Sequence, residues 1–487
     1  MSRLATMRSW RKWTRLSPRF LPFADVATRE LPLARLFQLS LFQVSVGMCT
    51  ALLIGTLNRV MIVELGVSAW LVAVMVALPL LFAPFRALLG FKSDTHKSVL
   101  GWRRVPYIWL GTLFQFSGLS IMPFALILLS GDSHWPAWIA TLATGLAFLL
   151  VGMGLQTTQT AGLALATDIA PPEARPRVVA MMYAMFLVGM VASGLIFGWL
   201  LTDFYPLKLI KVIQGAAAVS AVLNVIALWK QEARNPERTS AKRERPHFRE
   251  TWRAFSRRPH TLRYLVALGL GTAAFAMQDI ILEPYGGEVL GLSVSATTVL
   301  TALMATGALV AFTLAARWLS RGANPYRVSA LGAVMGLVAF SCVIFSEPFH
   351  EPNLFRFGAV LIGFGGGLFS VGTLTAAMNL ESDDPSRHFG TSGLIIGAWG
   401  AVVATATGVS MALGGALRDL VSTLAMNGDI GSALVNPATG YSFVYHLELY
   451  LLLMTLVAIG PLVRVGTNAP VSSNSSVSKF GLAEFPS

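Results

Sequence analysis

The feature that most constrains this chain is the spacing of its charged residues. Stretches without any Asp, Glu, Lys or Arg run 36–58, 65–85, 105–131, 133–167, 178–202, 212–229, 289–316, 328–346, 357–380 and 388–417. A bilayer core about 30 Å thick is crossed by about 20 apolar residues at helical rise. Ten of the stretches reach or approach that length. Two shorter ones, 264–278 and 449–463, reach it when Asp279 and Glu448 are counted in. The pattern predicts an all-α membrane protein of twelve transmembrane helices. Only 13% of the 487 residues are charged and 54% are hydrophobic, which excludes a soluble enzyme and a disordered chain alike.

The net charge of +13 is a record of orientation rather than of nucleic-acid binding. With the N-terminus placed in the cytoplasm, 32 of the 37 Lys and Arg residues fall on the inner side. Arg59, Lys208, Lys211, Arg356 and Arg418 remain outside. That asymmetry follows the positive-inside rule and predicts both termini in the cytoplasm. The basic start leads into Pro22, Asp25 and Glu30 instead of an apolar signal core. Cys49 and Cys342 both lie in apolar runs, so a disulfide framework is not expected.

The longest hydrophilic stretch, 230–263, carries eleven Lys/Arg against four acids. It divides the chain into a cytoplasmic segment 1–35 and a six-helix half 36–229 before it, and a six-helix half 264–464 and a tail 465–487 after it. It reads as a solvated linker or a contact with anionic lipid. Internal similarity agrees with the division. Leu65-Gly66-Val67-Ser68 resembles Leu290-Gly291-Leu292-Ser293, and Gly152-Met-Gly154 resembles Gly363-Phe-Gly365.

The loop Gly90-Phe-Lys-Ser-Asp94, continuing to Gly101-Trp-Arg103-Arg104, resembles the signature between helices two and three of the major facilitator superfamily, with a longer Asp-to-Gly spacing. The turn from Asp168 to Arg175 resembles it in the same way. Gly90, Asp94, Arg103, Arg104, Asp168 and Arg175 are therefore expected to latch helix ends, with substrate contact as the alternative. Further runs narrow the likeness: Thr56-Leu-Asn58-Arg59-Val-Met-Ile-Val-Glu64, Ala83-Pro-Phe-Arg86, Gly101-Trp-Arg-Arg-Val-Pro-Tyr107, Leu21-Pro-Phe-Ala-Asp25 and Gln278-Asp279-Ile-Ile-Leu-Glu283-Pro-Tyr-Gly-Gly287. Together they resemble the PucC/LhaA family along essentially the whole chain. This is the bacteriochlorophyll-delivery branch of that superfamily in purple phototrophs. The resemblance implies assembly of light-harvesting antenna complexes in the bacterial inner, photosynthetic membrane. It implies bacteriochlorophyll as cargo, with carotenoid as a companion. It also implies antenna polypeptides, pigment-synthesis proteins and membrane lipids as partners, and no nucleic acid. It does not separate the core-antenna member from the peripheral-antenna one.

Ionisable groups at membrane depth are functional candidates by default. Straight helical rise places Asp279 about 24 Å from Arg263, in the outer leaflet, and Arg59 about 36 Å from Arg35, near the outer surface. Glu283 comes one turn after Asp279, on the same face, before Pro284 ends the helix. Helices one and seven are counterparts in a two-fold repeat, so Arg59, Glu64, Asp279 and Glu283 form an expected outer cluster. It reads as a gate, as interfacial anchoring, or as a contact to a pigment's polar substituents. The magnesium of bacteriochlorophyll needs an axial nitrogen or oxygen. Candidates are His388, His446, Gln156, Gln159, Asn224 and Gln278, and the sequence does not choose among them. No nucleotide loop, metal spacing or nucleophile elbow is found. Three readings follow: a pigment-handling assembly factor, a proton-coupled solute transporter using Asp279 or Glu283, and a pigment-free scaffold for antenna helices.

Overall fold

A computed structural model describes residues 32–81, 102, 104–130, 135–170, 175–231, 261–382 and 392–467. Its long elements are α-helices that track the uncharged stretches. They are α1 (Leu33–Thr50, continued by π-turns at Ala51–Leu57 and Val60–Glu64), α2 (Ala69–Leu81), α3 (Val105–Leu129), α4 (Ala137–Ile169), α5 (Arg175–Leu200) and α6 (Pro206–Leu228). The second set is α7 (two pieces, Thr261–Met277 and Leu282–Glu288), α8 (Val294–Ser320), α9 (Pro325–Ser346), α10 (Pro352–Ser382), α11 (Ser392–Met426) and α12 (Ala438–Thr467). Among the described residues, eleven are long and apolar enough to cross a membrane, and α2 adds a shorter apolar helix. Asp279 and Glu448 do lie inside their spans, Thr261–Glu288 and Ala438–Val463.

The packing repeats when six is added to each helix number. In the first set α1 packs on α5 and α6, α3 on α4 and α6, and α2 on α4. In the second, α7 packs on α11 and α12, α9 on α10 and α12, and α8 on α10. The two sets meet through α2 against α11 and α5 against α8, a pair of contacts that the same shift interchanges. Apolar side chains from both sets fuse into one core, with Leu52, Leu57, Met61, Ile213, Ile280, Ile281 and Tyr445 fully buried. Outside it, Phe124, Trp199 and Val457 are more than 60% exposed, a surface made for lipid rather than water.

The short similarities in the sequence hold identical structural posts. Gly66 and Gly291 turn the chain at φ +63° and +64°, a left-handed conformation that glycine adopts without cost. Val67 N–H closes on the Met61 carbonyl and Leu292 N–H on that of Gly286, both at 2.9 Å. A Cβ on Gly152 would strike Pro79 of α2, and one on Gly363 would strike the Met304 carbonyl of α8. Gly154 lies against Gly111 of α3, and Gly365 against Gly332 of α9. Small residues let these helices approach backbone to backbone.

Two expectations of local geometry need correction. Pro284 does not end helix seven. The helix breaks earlier, at 278–281, and Pro284 sits in the first turn of the second piece, where its missing N–H has no intrahelical partner to lose. Asp279 and Glu283 therefore do not share a helical face. The π-turns of α1 are wider and advance less per residue than an α-helix, so straight α-helical rise overstates how far Arg59 lies from Arg35.

Candidate functional site

The four residues of the expected outer cluster lie at one end of the bundle, where α1 hands over to α2 and α7 to α8. Arg59, 4% exposed, stands between the two π-turns. Its Nη1 donates to Glu64 at the end of the same helix, and its Nη2 to the Leu292 carbonyl of the other set, at 3.2 Å. One residue earlier, Asn58 Nδ2 donates to the carbonyl of Ile280 at 2.9 Å and of Asp279 at 3.3 Å. The break in α7 exposes those carbonyls, because residues 278–281 leave the helical ladder. Asn58 caps them from across the interface.

Glu283 reaches the opposite way. It is buried, accepts from the Thr301 hydroxyl at 2.6 Å, and its Oε1 lies where a Cβ on Gly55 of α1 would have to go. Glu283 precedes Gly291 by the same eight residues that separate Asn58 from Gly66. The two polar side chains thus occupy matching positions in the repeat, and each crosses to the other set. Thr56 and Thr298 meet beside them at 3.3 Å.

Asp279 departs from the expected cluster. Its backbone joins Asn58, but its half-buried carboxylate accepts from the Gln278 amide and lies within electrostatic reach of Glu448 on α12. Glu448 is fully buried, and neither carboxylate oxygen has a partner among the described residues. In the sequence Glu448 serves only to bring helix twelve to spanning length. A carboxylate inside a spanning segment was signal enough to ask for more.

A second network at this end also escaped the sequence reading. Arg418 of α11 donates to Asp419 at 2.8 Å, to Glu288 and to the Tyr441 hydroxyl at 2.8 Å, with its guanidinium 4.4 Å over the Tyr441 ring. Tyr441 in turn donates to Glu288 at 2.8 Å. Asp419 then accepts the Trp70 N–H at 2.8 Å, placing a negative charge at the N-terminus of α2, where the helix dipole favours it. Partners 130 and 349 residues apart leave no local pattern to read.

Of the expected latches, Arg104 Nε pairs with Asp168 Oδ2 at 3.0 Å, tying the start of α3 to the end of α4. Arg175 opens α5. Gly90, Asp94 and Arg103 lie outside the described residues, as do His388 and most of the linker and tail.

The pigment-ligand candidates separate. Asn224 is buried and donates to Thr112 Oγ1 and Gln115 Oε1 at 3.0 and 3.1 Å, so it joins α6 to α3. Gln278 is buried and donates to the Phe275 carbonyl and Asp279. Gln156 and Gln159 are half-buried on α4. His446 is exposed on α12 between Phe443 and Tyr450, both exposed. Its Nδ1 lies 2.7 Å from the Ser442 carbonyl. A carbonyl only accepts, so a neutral ring donates from Nδ1 and keeps its lone pair on Nε2. Among the described residues no three His, Cys, Asp or Glu side chains gather to hold a metal ion.

The description PUCC protein belongs to a family model that matches residues 56–467. A Rhodobacter capsulatus protein described as an uncharacterized protein in the puhA-bchM intergenic region is 53% identical, over 97% of this chain and 98% of its own. PucC of Rhodovulum sulfidophilum is 56% identical over 86% of this chain and 92% of its own. The bacteriochlorophyll synthase 44.5 kDa chain of Rhodobacter capsulatus is 28% identical over 80% and 88%. Among solved structures, a bacterial homologue of the iron transporter ferroportin in its inward-facing state superposes with a TM-score of 0.65 at 15% identity, covering 88% of this chain and 99% of that one. A bacterial homologue of the lysosomal transporter Spinster, also inward-facing, gives 0.63 at 14%, over 89% and 97%. The fold is that of the major facilitator transporters. A family model spanning most of the chain and relatives above 50% identity along nearly its whole length leave one assignment: the chain belongs to the PUCC protein family.

Proposed function

We propose that this chain is a light-harvesting antenna assembly factor that takes bacteriochlorophyll from the lipid phase and hands it to antenna polypeptides. Carotenoid is a companion cargo, and pigment-synthesis proteins are its suppliers. The work is done in the photosynthetic inner membrane of a purple bacterium, with both chain ends in the cytoplasm. It is non-catalytic: the protein binds, holds and releases. The observation that carries the reading is full-length similarity to PucC proteins, joined by similarity to a chain named for bacteriochlorophyll synthesis.

The chemistry of α12 supports it. A chlorin is a flat apolar plate with a metal that wants one axial ligand. In the tautomer that donates from Nδ1 to the Ser442 carbonyl, His446 presents the Nε2 lone pair on an exposed face. Backbone carbonyls orient metal-ligating histidines in just this way. Phe443 and Tyr450 lie one turn to either side on the same helical face, and aromatic rings suit the faces of such a plate. An imidazole facing lipid is costly to desolvate, and a metal ligand bond offsets that cost. Lateral entry from lipid asks for no aqueous pathway.

Deleting the protein is expected to lower assembled antenna, read as near-infrared absorption of membranes, while bacteriochlorophyll synthesis continues. Unchanged antenna absorption in the deletion strain overturns the proposal.

A further inference from the structure

Helices α9 and α12 lie side by side, and three contacts fix their register. Gly336 faces Leu452, the Phe340 ring stacks on that of Tyr445 with centroids 6.3 Å apart, and Glu347 accepts from the Asn436 amide at 3.3 Å. Numbers rise along one helix as they fall along the other, so the pair is antiparallel. One side of the seam is covered by α7. Its Phe275 lies against Gly336 and Phe340, and its Tyr285 against Tyr441, Tyr445 and the Val343 carbonyl. Ser341 and His446 each follow one of the stacked rings and stand at the same height. One residue turns a helix by about 100°, and in an antiparallel pair the two turns go to the same side of the seam. It is the side that α7 leaves open, where His446, Val338 and Phe345 are exposed.

On that side α9 carries a groove of about 450 Å³, lined by Leu337, Val338, Ser341, Cys342 and Phe345 and flanked by Phe349. Its volume is in the range of small-molecule sites. Phe345 and Phe349 stack at one end, with ring centroids 5.9 Å apart. Ser341 already donates its hydroxyl proton to the Leu337 carbonyl at 2.8 Å, which leaves the groove without a free strong donor. A carboxylate lying there goes unpaired at a cost, whereas an aliphatic chain has nothing to lose. From Leu337 to Phe345 the groove follows α9 for about 12 Å at helical rise, the shape of a chain rather than of a plate.

We propose that this groove seats the isoprenoid tail of a chlorin whose metal is held by His446. The proposal rests on the pigment reading above and adds a second contact to it. The plate lies over α12 with Phe443 and Tyr450, and its ester-linked tail crosses the seam onto α9. Lipid is as apolar as the groove, so no hydrophobic force drives the tail in. What the groove supplies is close packing against a fixed surface, together with rejection of the free acid that a tail-free ring carries. The site thereby selects the esterified pigment.

The test uses purified full-length protein in lipid nanodiscs, titrated with bacteriochlorophyll and with its tail-free acid. Binding is read from the near-infrared band and expressed per lipid, so that partition into the bilayer cancels. The wild type should bind the tailed pigment about tenfold more tightly. Val338→Trp fills the groove from its exposed rim and should remove that preference, leaving the tail-free acid unaffected. Phe345→Ala opens one end of the groove and should weaken the tailed pigment alone, which keeps the test open if the tryptophan variant misfolds. Equal wild-type affinities, or equal loss of both pigments in Val338→Trp, overturns the tail groove and leaves the pigment reading standing. Binding of neither pigment by the wild type overturns both. A carotenoid that binds the wild type but not Val338→Trp, with both chlorins unaffected, assigns the groove another occupant and overturns the proposal as well.

Discussion

Arg59 carries more of the interface than its single charge suggests, because one guanidinium serves Glu64 on its own helix and the Leu292 carbonyl on the other set. Arg59→Ala leaves both acceptors unserved and is expected to cost about 2 kcal/mol, read as a lower melting temperature in detergent. Arg59→Lys should recover only part of it, since a point charge cannot span two acceptors as a planar fork does. His446 separates ligand from scaffold. His446→Ala removes an exposed side chain and should leave stability within about 0.5 kcal/mol, while abolishing the pigment band that the wild type carries. Melting temperature and absorption spectrum of the same sample check both halves of that statement. Residues that break an uncharged run, such as Arg59 and Asp279, were legible as candidates because charge in a membrane helix is rare. Asn58, Thr301 and Tyr441 were not, since a polar neutral side chain acquires its meaning only from its partner, 18 residues away for Thr301 and 222 for Asn58.

Helices tolerate or refuse a methyl group according to what lies across from them. A Cβ on Gly363 would sit 1.9 Å from the Met304 carbonyl, a backbone atom that cannot swing aside. Gly363→Ala is therefore expected to destabilise by about 1–3 kcal/mol through separation of α8 and α10. On α4, Gly145 meets nothing within 4 Å, and Gly145→Ala should be neutral or stabilising by up to about 1 kcal/mol from helix propensity. Thermal unfolding of the two variants side by side measures the contrast. Helix count and identity were legible from charge spacing, a coarse signal that survives any local irregularity. The break at 278–281 and the π-turns of α1 were not. The break satisfies its freed carbonyls through a tertiary contact, Asn58 to Asp279 and Ile280, which has no local trace. Pro284 misled for the same reason: its effect depends on where the helix starts, which the break decides.

At the scale of the molecule, two six-helix sets meet through α2 with α11 and α5 with α8, and the polar contacts described here knit them together at one end. Trp70 N–H to Asp419 and Ser295 to the Gly198 carbonyl, at matching positions in the repeat, add contacts between the sets at that end. Asp419→Ala frees the N-terminus of α2 and loosens Arg418, so exchange in 69–72 should rise several-fold while the core of α4 stays protected. Hydrogen-exchange mass spectrometry checks it. The repeat itself was legible from one four-residue and one three-residue likeness, because glycine at a left-handed turn or a backbone contact admits few substitutes. The account stands most directly on one spectrum: that of the protein gently purified from pigment-synthesising cells and freed of antenna. A near-infrared band in stoichiometric amount, lost in His446→Ala, is the predicted result. A wild-type protein that emerges folded and colourless contradicts it.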